Sequence, residues 1–383
     1  MPDQSFLFSP LYQEALGEVK LILVRAAQRH IDLFDKPAWY KKHFKMGDFA
    51  RTESEFKALL GEVRTAPAAS SVNQYSERPI RSYDGLGTVS AEMVTWAHTY
   101  KLDAETIRAI ALYVKMYPGA ADRTKVLNFI RTKLLNARKK AIEGVENRLT
   151  YIAASVLSND GVYTFTKDND PGSPFIGQTM NFGWDPTHSM KVKTSADIWN
   201  ETNAATVNVL EDLMAIQDTA EVPLKKMLLR REQAMYMLTT AKMKLYVNGS
   251  DRASAPITLE DVNTILAKYE LPEIEIVRVE TKFEENGGKK QRTVQPWTLG
   301  KILFVPDDNF GTFEHQMTDA DLGLKSPGVD YVKYNNIEVT SWVHGIKEGT
   351  NYTEFQSAEI TTTPVVETIK DMYSLDVLHP AEQ

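Results

Sequence analysis

One long run of regularly spaced apolar positions dominates the chain. From Asp122 to about Leu157, apolar residues recur every three to four positions, a spacing that keeps one stripe of an α-helix buried over many turns. The stripe comprises Val126, Phe129, Ile130, Leu134, Ala137, Ala141, Val145, Leu149, Ile152, Ala153 and Val156. At about 1.5 Å per residue such a helix is roughly 50 Å long, which exceeds the diameter of a compact domain. The pattern therefore predicts a single long helix that braces something extended.

The predicted helix has start and stop residues of the expected types. Asp122 follows Pro118-Gly119, and its carboxylate is suited to accept hydrogen bonds from the free amides of a first turn. Asn159-Asp160-Gly161 is suited to end the helix. A coiled coil is the alternative for so long a stripe. No partner heptads accompany it, however, and the chain continues directly into the strand-like residues 162–166, which favours a single helix.

The segments before this helix carry two different patterns. Helical periodicity over residues 5–35 predicts an amphipathic helix that Pro37 should end. Residues 57–102 have few large apolar side chains and only weak alternation, which predicts an extended hairpin. A hairpin without a core of its own needs a neighbour on which to lie.

The segments after the long helix mix strands and helices. Alternation predicts strands at residues 161–167, 178–184, 274–280 and 302–306, while periodicity predicts helices within 197–248 and from Thr258 to about Pro272. One of these helices is expected to carry Pro223 in its first turn. Asn286-Gly287-Gly288 predicts the turn of a hairpin. The tail, residues 337–378, is strand-rich and is expected to return to the long helix.

Composition narrows the class of protein. The 383 residues, 43% of them hydrophobic, are enough for two or three domains with a substantial core. No run of eighteen apolar residues and no leader pattern is visible, which predicts a protein of a cytoplasm without a membrane span. The chain has no cysteine, so its stability must come from packing and association. A net charge of -7 disfavours tight, phosphate-neutralising binding of nucleic acid.

The residues that could carry chemistry do not form a catalytic or metal-binding pattern. The seven histidines are scattered singly, and Gly85-Leu86-Gly87 lacks the third glycine of a dinucleotide fingerprint. Asp168-Asn169-Asp170 fits a turn better than a calcium loop. Asp307-Asp308 and Asp319/Asp321 could be posed as an acid and base pair, but solvated loop acids are the simpler interpretation. No catalytic residue, metal or cofactor is predicted.

The long helix also carries a basic side. Its members are Lys125, Arg131, Lys133, Arg138, Lys139, Lys140 and Arg148. This side could face packaged nucleic acid or an acidic neighbouring subunit, and a solvated helix face is an equally good interpretation.

Several short motifs, in this order, resemble one known family. They are Ala66-Pro67-Ala68-Ala69-Ser70 through Tyr75, Pro79, Arg81 and Gly85; Gly161-Val162-Tyr163-Thr164; Met180-Asn181-Phe182-Gly183; Trp199; Asn286 to Lys290; Pro306 to Asn309; and Gln356-Ser357-Ala358 with Pro364-Val365. The chain thereby resembles the tailed-bacteriophage major capsid proteins, more closely the lambda-type capsid protein E family. Trp184, Thr361-Thr362-Thr363 and the segment from Ser326 to Asn336 depart from the family pattern, and the last is expected to be an additional surface feature.

The resemblance implies an α+β fold of the Hong Kong 97 capsid type. The implied parts are an N-terminal arm (1–56), an extended loop or E-loop (57–106), a peripheral domain (107–190 and 327–383) with the spine helix at about 122–157, and an axial domain (191–326). It also implies E-loop contacts with a neighbouring subunit. The candidate contact residues are Val72, Tyr75, Arg78, Ile80, Arg81 and Tyr83.

The resemblance further implies a structural protein without enzymatic activity. Copies would self-assemble into hexamers and pentamers of an icosahedral phage head, in the host cytoplasm, and become the capsid shell of the virion. The implied partners are other copies, a portal protein, scaffold and decoration proteins, and packaged double-stranded DNA held by non-specific contact, with no membrane. No covalent cross-link between subunits is expected.

Two alternatives remain open from the sequence. The first is an encapsulin-type nanocompartment shell, which shares the fold and encloses enzymes instead of a genome. The second is a cytoplasmic α/β enzyme with a site near Asp307 and His315. The sequence offers no triad, metal set or phosphate loop for the enzyme.

Overall fold

The computed structural model describes residues 10–29, 31–48, 50–51, 55–61, 86–102, 104–117, 122–170, 173–250, 255–285, 290–344 and 353–381. These residues form eight α-helices: α1 Pro10–Gln28, α2 Tyr40–His43, α3 Ala104–Met116, α4 Arg123–Ser158, α5 Val209–Thr219, α6 Arg231–Thr239, α7 Ala241–Asn248 and α8 Leu259–Lys268. They also form seventeen strands: β1 Phe44–Met46, β2 Glu55–Gly61, β3 Leu86–Glu92, β4 Val94–Leu102, β5 Val162–Thr164, β6 Thr179–Asn181, β7 Ser189–Val192, β8 Lys226–Leu229, β9 Glu273–Ile276, β10 Thr281–Glu285, β11 Lys290–Val294, β12 Lys301–Val305, β13 Gly311–His315, β14 Asp330–Tyr334, β15 Ile337–His344, β16 Thr353–Val366 and β17 Tyr373–Pro380.

The long helix predicted from the sequence is confirmed as α4, which has 36 residues. It ends as predicted: the amide of Gly161 donates to the carbonyl of Val156 at 3.0 Å, and Gly161 has φ of +71°. A Cβ at Gly161 would lie 2.8 Å from the side chain of Ile369 and 2.9 Å from that of Trp184. The predicted capping by Asp122 is wrong, because its side chain makes no cap hydrogen bond and instead pairs with Lys125 at 3.1 Å.

A long sheet lies against α4. Its strand order is β1-β13-β16-β15-β14, and β4 pairs with the other edge of β16 from Val94↔Thr362 to Leu102↔Glu354. The predicted hairpin over 57–102 is therefore shorter than expected. Its strands are β2 and β3, and β4 is a strand of the sheet because Val94 and Trp96 are buried in the core.

A second sheet, of order β7-β17-β12-β8-β9, packs with helices α5 to α8 around a separate apolar core. Residues 226–229, predicted to be helical after Pro223, form strand β8 between β12 and β9. Met227, Leu228 and Leu229 are all buried. A strand at the centre of a covered sheet has a continuous apolar run, which periodicity cannot distinguish from a buried helix.

Most of the remaining predicted elements are confirmed, with shifted bounds. β5 pairs with β6, β10 with β11, and β12 is the buried strand predicted at 302–306. Helix α8 begins at a capping box in which Thr258 and Asp261 bind each other's amides. The tail forms β15, β16 and β17, and β16 packs against α4. Helix α1 ends at Gln28, nine residues before Pro37.

Candidate assembly surfaces

The strands of the extended hairpin form a ribbon of their own. β2 and β3 pair antiparallel from Glu55↔Glu92 to Gly61↔Leu86. Met93 alone separates β3 from β4, so the ribbon begins at the edge of the long sheet. A two-stranded ribbon is at best marginally stable in water. The six predicted contact residues, Val72, Tyr75, Arg78, Ile80, Arg81 and Tyr83, fall between β2 and β3 in sequence and lie outside the described residues.

Helix α1 lies along α4 and is fixed by charged contacts at both flanks. Glu18 pairs with Arg131 of α4 at 3.2 Å, and Lys20 pairs with Asp330 of β14 at 2.9 Å. The side that faces α4 and β14 is apolar and buried, with Ala15, Val19 and Leu23 fully enclosed. The N-terminal helix is thus part of the core of this subunit.

A second contact fixes the segment after α1. Lys41 of α2 bridges two carboxylates, with 2.8 Å to Asp32 and 2.6 Å to Glu146 of α4. Burial raises the pKa of the Glu146 carboxyl, although Lys41 opposes this effect. The same two carboxylates hold the pKa of Lys41 above its usual range despite its burial. Replacing either partner of such a buried pair strongly destabilises the fold, because the remaining charge stays buried without compensation.

Arg138 of α4 is completely buried, and its guanidinium joins three strands. Its Nε donates to Oε1 of Gln356 at 2.9 Å, and its Nη2 donates to Oδ2 of Asp330 at 3.0 Å and to Oγ of Ser341 at 2.9 Å. These partners lie on β16, β14 and β15 respectively. Arg138 therefore locks the register of three neighbouring strands against the helix.

The same network reaches α1 through Glu354 of β16. This carboxylate is 3% exposed and accepts hydrogen bonds from the hydroxyl of Tyr12 and from the amide of Gln356. Burial raises the pKa of Glu354, while Tyr12, Arg138 and Gln356 oppose the rise. One continuous polar network consequently connects the N-terminal helix, the long helix and the sheet.

Arg148 anchors the far half of α4 in a different way. Its guanidinium lies 5.3 Å from the ring of Trp96 and 4.9 Å from the ring of Phe283. It also donates to the carbonyl of Asn169 at 2.7 Å and to Asp170 at 3.1 Å. The stacked, planar geometry suits arginine and not lysine. Arg138 and Arg148 are thus internal anchors, which the sequence had placed on a basic outer side.

The basic charges of α4 that remain are clustered. Within the described residues, Lys133, Lys139 and Lys140 of α4 and Lys101 of β4 make no ion pair, although Lys133 and Lys140 lie near the rings of Phe129 and Tyr100. These four lysines line a groove of about 530 Å³, which we call the basic groove. Its other lining residues are Leu33, Phe34, Asp35, Tyr100, Leu102, Asn136, Ala137 and Glu143. The lysines form the rim of the groove, and the buried or half-buried apolar lining residues form its floor.

The segment containing α2 also meets the second sheet. Glu275 of β9 pairs with Lys42, lies 3.4 Å from Nε2 of His43 and 3.7 Å from Lys226 of β8. The contacts with His43 and Lys42 lower the pKa of Glu275 to about 2, against the effect of burial. Lys226 also pairs with Asp308 at 2.6 Å. This cluster connects the two sheets through the N-terminal segment.

Trp199, one of the family motif residues, is a buried anchor of the second core. Its indole Nε1 donates to Oδ2 of Asp212 on α5 at 2.9 Å, and its ring stacks on Tyr236 of α6. Burial raises the pKa of Asp212 to about 6, against the effect of the Trp199 hydrogen bond. Asp212 is thus a carboxyl that is protonated unusually easily.

Three of the four carboxylates considered for acid and base chemistry, Asp307, Asp308 and Asp321, have separate local partners. Asp307 accepts from the amide of Asp308 at 2.7 Å, and Asp308 pairs with Lys226. Asp321 pairs with Lys333 at 2.6 Å. His315 is buried, and burial lowers its pKa. Each of these groups therefore has a structural role in capping, pairing or packing.

The described part of the chain was compared with the geometry of a metal site and of a membrane span through two features of its residues: clusters of possible ligands and long apolar helices. No group of three or more His, Asp or Glu residues there is placed to hold a metal ion. None of its helices is both long and apolar enough to cross a membrane.

Comparison with known proteins identifies the class. A prophage capsid protein from E. coli CFT073 superposes with a TM-score of 0.55 at 11% identity, covering 92% of this chain and 97% of the other. A phage-related protein from Bordetella bronchiseptica RB50 has a TM-score of 0.46 at 13% identity (94% and 98% covered), and a structure of Gordonia phage Cozz has 0.42 at 11% (92% and 90% covered). No curated protein sequence matches the chain. The fold is that of a phage capsid protein of the Hong Kong 97 type.

The sequence comparison identifies a family, whereas the structural comparison identifies only a fold. The family described as phage major capsid protein E matches residues 49–334, which is most of the chain. The chain belongs to this phage major capsid protein E family. Its function is to form a capsid, and the family match leaves the encapsulin alternative as the weaker one.

Proposed function

We propose that this subunit self-assembles into the hexamers and pentamers of an icosahedral phage head that encloses double-stranded DNA. The observation that carries the proposal is the family match over residues 49–334. The β2–β3 ribbon supports it, because a two-stranded ribbon gains order by lying on a neighbour. Many modest contacts, repeated over a closed lattice, then give a stable shell.

We assign the roles of the segments as the sequence predicts them. Residues 1–56 act as an N-terminal arm, 57–106 as the E-loop, 107–190 with 327–383 as the peripheral domain, and 191–326 as the axial domain. The last strand of the E-loop segment, β4, joins the E-loop to the long sheet. We assign to the E-loop the contact with the neighbouring subunit, through Val72, Tyr75, Arg78, Ile80, Arg81 and Tyr83. The strands β2 and β3, which flank these residues in sequence, support this assignment.

The remaining partners follow from the same role. Assembly takes place in the host cytoplasm, and the product is the shell of the virion. A portal protein joins the shell, and the enclosed DNA touches it without sequence preference. Scaffold and decoration proteins are further candidate partners. The subunit itself has no enzymatic activity, in keeping with a family of structural proteins.

The first test is to express the protein alone and to examine it by negative-stain microscopy and light scattering. Closed shells, tubes or capsomer rings are expected. A homogeneous small species, also after co-expression with the scaffold of the same phage, would contradict the proposal. DNA in particles purified from infected cells separates a phage head from an enzyme-filled compartment.

A second test addresses the E-loop. Changing Tyr75 and Ile80 to Ala should reduce assembly while leaving the unfolding temperature of the unassembled subunit unchanged. The matched control is Leu112→Ala, which removes an equally apolar side chain, 60% exposed, from α3. Equal assembly of the E-loop variant and the control would contradict the assigned contact.

A further inference from the structure

The basic groove carries charge that the described part of the subunit does not neutralise. Of the eight cations of α4, five pair with acidic side chains, namely Arg123, Lys125, Arg131, Arg138 and Arg148. The other three, together with Lys101, surround the groove, whose lining contains only two carboxylates, Asp35 and Glu143. A surface with surplus positive charge over an apolar floor fits a partner that is both acidic and apolar.

A loop of the same chain has this composition. Residues 316–329 connect β13 and β14, and they contain a turn, Thr318–Leu324, that we call the acidic loop and that the exposed Lys325 follows. The turn exposes Leu322 by 50% and Leu324 by 64%. It also exposes Asp319, which makes no ion pair with the described residues, while Asp321 is occupied by Lys333. Neighbouring exposed leucines form an apolar patch that a second surface can cover, and the carboxylate beside them supplies a charge for pairing.

The acidic loop cannot reach the basic groove of its own subunit. Residues that alternate along a strand point to opposite faces of the sheet. Asp330 of β14 contacts Arg138 of α4, whereas Lys333 of the same strand holds the acidic loop through Asp321. The amide of Ala320 likewise binds Glu338, which pairs across from Lys333. The loop therefore lies on the face of the sheet opposite α4, while the groove lies beside α4.

We propose that the acidic loop of one subunit docks into the basic groove of a second copy of this chain. Leu322 and Leu324 would cover the apolar floor, and Asp319 would pair with the lysines of the rim. Two different surfaces meet in such a contact, which is the heterologous type that builds rings and larger closed assemblies. The inference rests on the proposed self-assembly and names a surface for it. A DNA duplex fits less well, because its phosphates would reach the lysines and leave the apolar floor uncovered.

Cysteine cross-linking tests this contact cleanly, because the chain has no native cysteine. The test variant carries Leu324→Cys and Asn136→Cys, at exposed positions of the loop and of the groove. The control carries Leu324→Cys and Lys125→Cys, the latter on the same helix outside the groove lining and 67% exposed. Both variants are assembled without DNA, oxidised, and run on a denaturing, non-reducing gel. Disulfides form only where Cα atoms approach within about 7 Å.

We expect covalent dimers and higher species in shells of the test variant. Shells of the control and of either single variant should not contain them. Their absence from test shells, or equal ladders in the control, would overturn the proposal. Lysine acetylation gives a second measurement: Lys139 and Lys140 should be protected in empty shells relative to free subunits. Protection only in DNA-filled particles would assign the groove to DNA and refute docking by a second copy. Failure to form any shell, visible by microscopy, would instead contradict the proposed function on which the contact rests.

Discussion

Replacing Arg138 by Met is expected to destabilise the isolated subunit by about 3 kcal/mol. Removing one partner of a buried ion pair typically costs about 3–5 kcal/mol, because the remaining charge stays buried without compensation. Here Asp330 keeps a second partner in Lys20 at 2.9 Å, which places the expected loss at the lower end of that range. Met fills much of the space of the arginine stem, so the cavity contribution is small. The loss should come mainly from Gln356, Ser341 and Glu354, which remain buried.

The measurement is the free energy of unfolding of unassembled subunits in a denaturant titration followed by circular dichroism. Arg138→Lys keeps the charge but not the planar fork, and it should lie between wild type and Arg138→Met. Lys139→Met is the matched control one position along the helix, at a site without an ion pair within the described residues, and it should change stability by less than about 0.5 kcal/mol. A loss below about 1 kcal/mol for Arg138→Met, or equal losses for the two Met variants, would refute the assignment of Arg138 as a structural anchor.

Three further predictions concern backbone contacts and pH. Gly161→Ala should destabilise the subunit by about 2 kcal/mol or more, because both its positive φ and its close neighbours oppose a Cβ. Gly177→Ala, at φ of +91° with open space around it, should lose only the backbone part, about 1 kcal/mol. Equal unfolding temperatures of the two variants would contradict this. Gly144→Ala places a Cβ 2.6 Å from the ring of His98 and 3.1 Å from the Cβ of His98, so it should destabilise in wild type. Beside His98→Ala only the 3.1 Å contact remains, so most of that loss should disappear, which a double-mutant cycle measures. The pKa of Asp212 is raised from 3.8 to about 6, so its charge destabilises the fold increasingly as pH rises from about 4 to 6. Asp212→Asn should therefore raise the free energy of unfolding above pH 6 by roughly 2 kcal/mol after solvent screening, and have no effect near pH 4. Denaturant titrations at the two pH values measure this, and a gain that is independent of pH would be the contrary result.

The predictable parts of the fold are those whose pattern is local. Helix α4 follows from one apolar stripe, and its end follows from Asn159-Asp160-Gly161, because both depend only on neighbouring residues. The strand β8 and the placement of β4 were missed, since they depend on partners distant in sequence. Residues 226–229 pair with β12 and β9, and β4 pairs with β16, about 260 positions away.

The anchoring arginines were missed for a related reason. Arg138 is one of the seven basic residues of the predicted basic side of α4, and its residue type alone suggests that it faces solvent. One local signal was available: Arg138 lies four residues after Leu134 and four before Ile142, so all three share a helix face, and all are buried. Its partners on β14, β15 and β16 lie about 190 to 220 positions later, and no local pattern predicts them.

The paired and the unpaired cations of α4 have different roles: the paired ones belong to the folded subunit, and the unpaired ones are available for contacts between subunits. The pairs of Arg138 and Arg148 are largely buried, so they respond less to salt than exposed pairs do. The lysines of the basic groove are exposed, apart from the half-buried Lys139, and have no acidic partner within the described residues. Any contact that they make with another subunit is therefore screened by salt. Shell formation should consequently weaken with ionic strength under conditions in which the subunit remains folded. A helix that satisfied all of its cations internally would brace the same sheet without offering this charged surface to a neighbour.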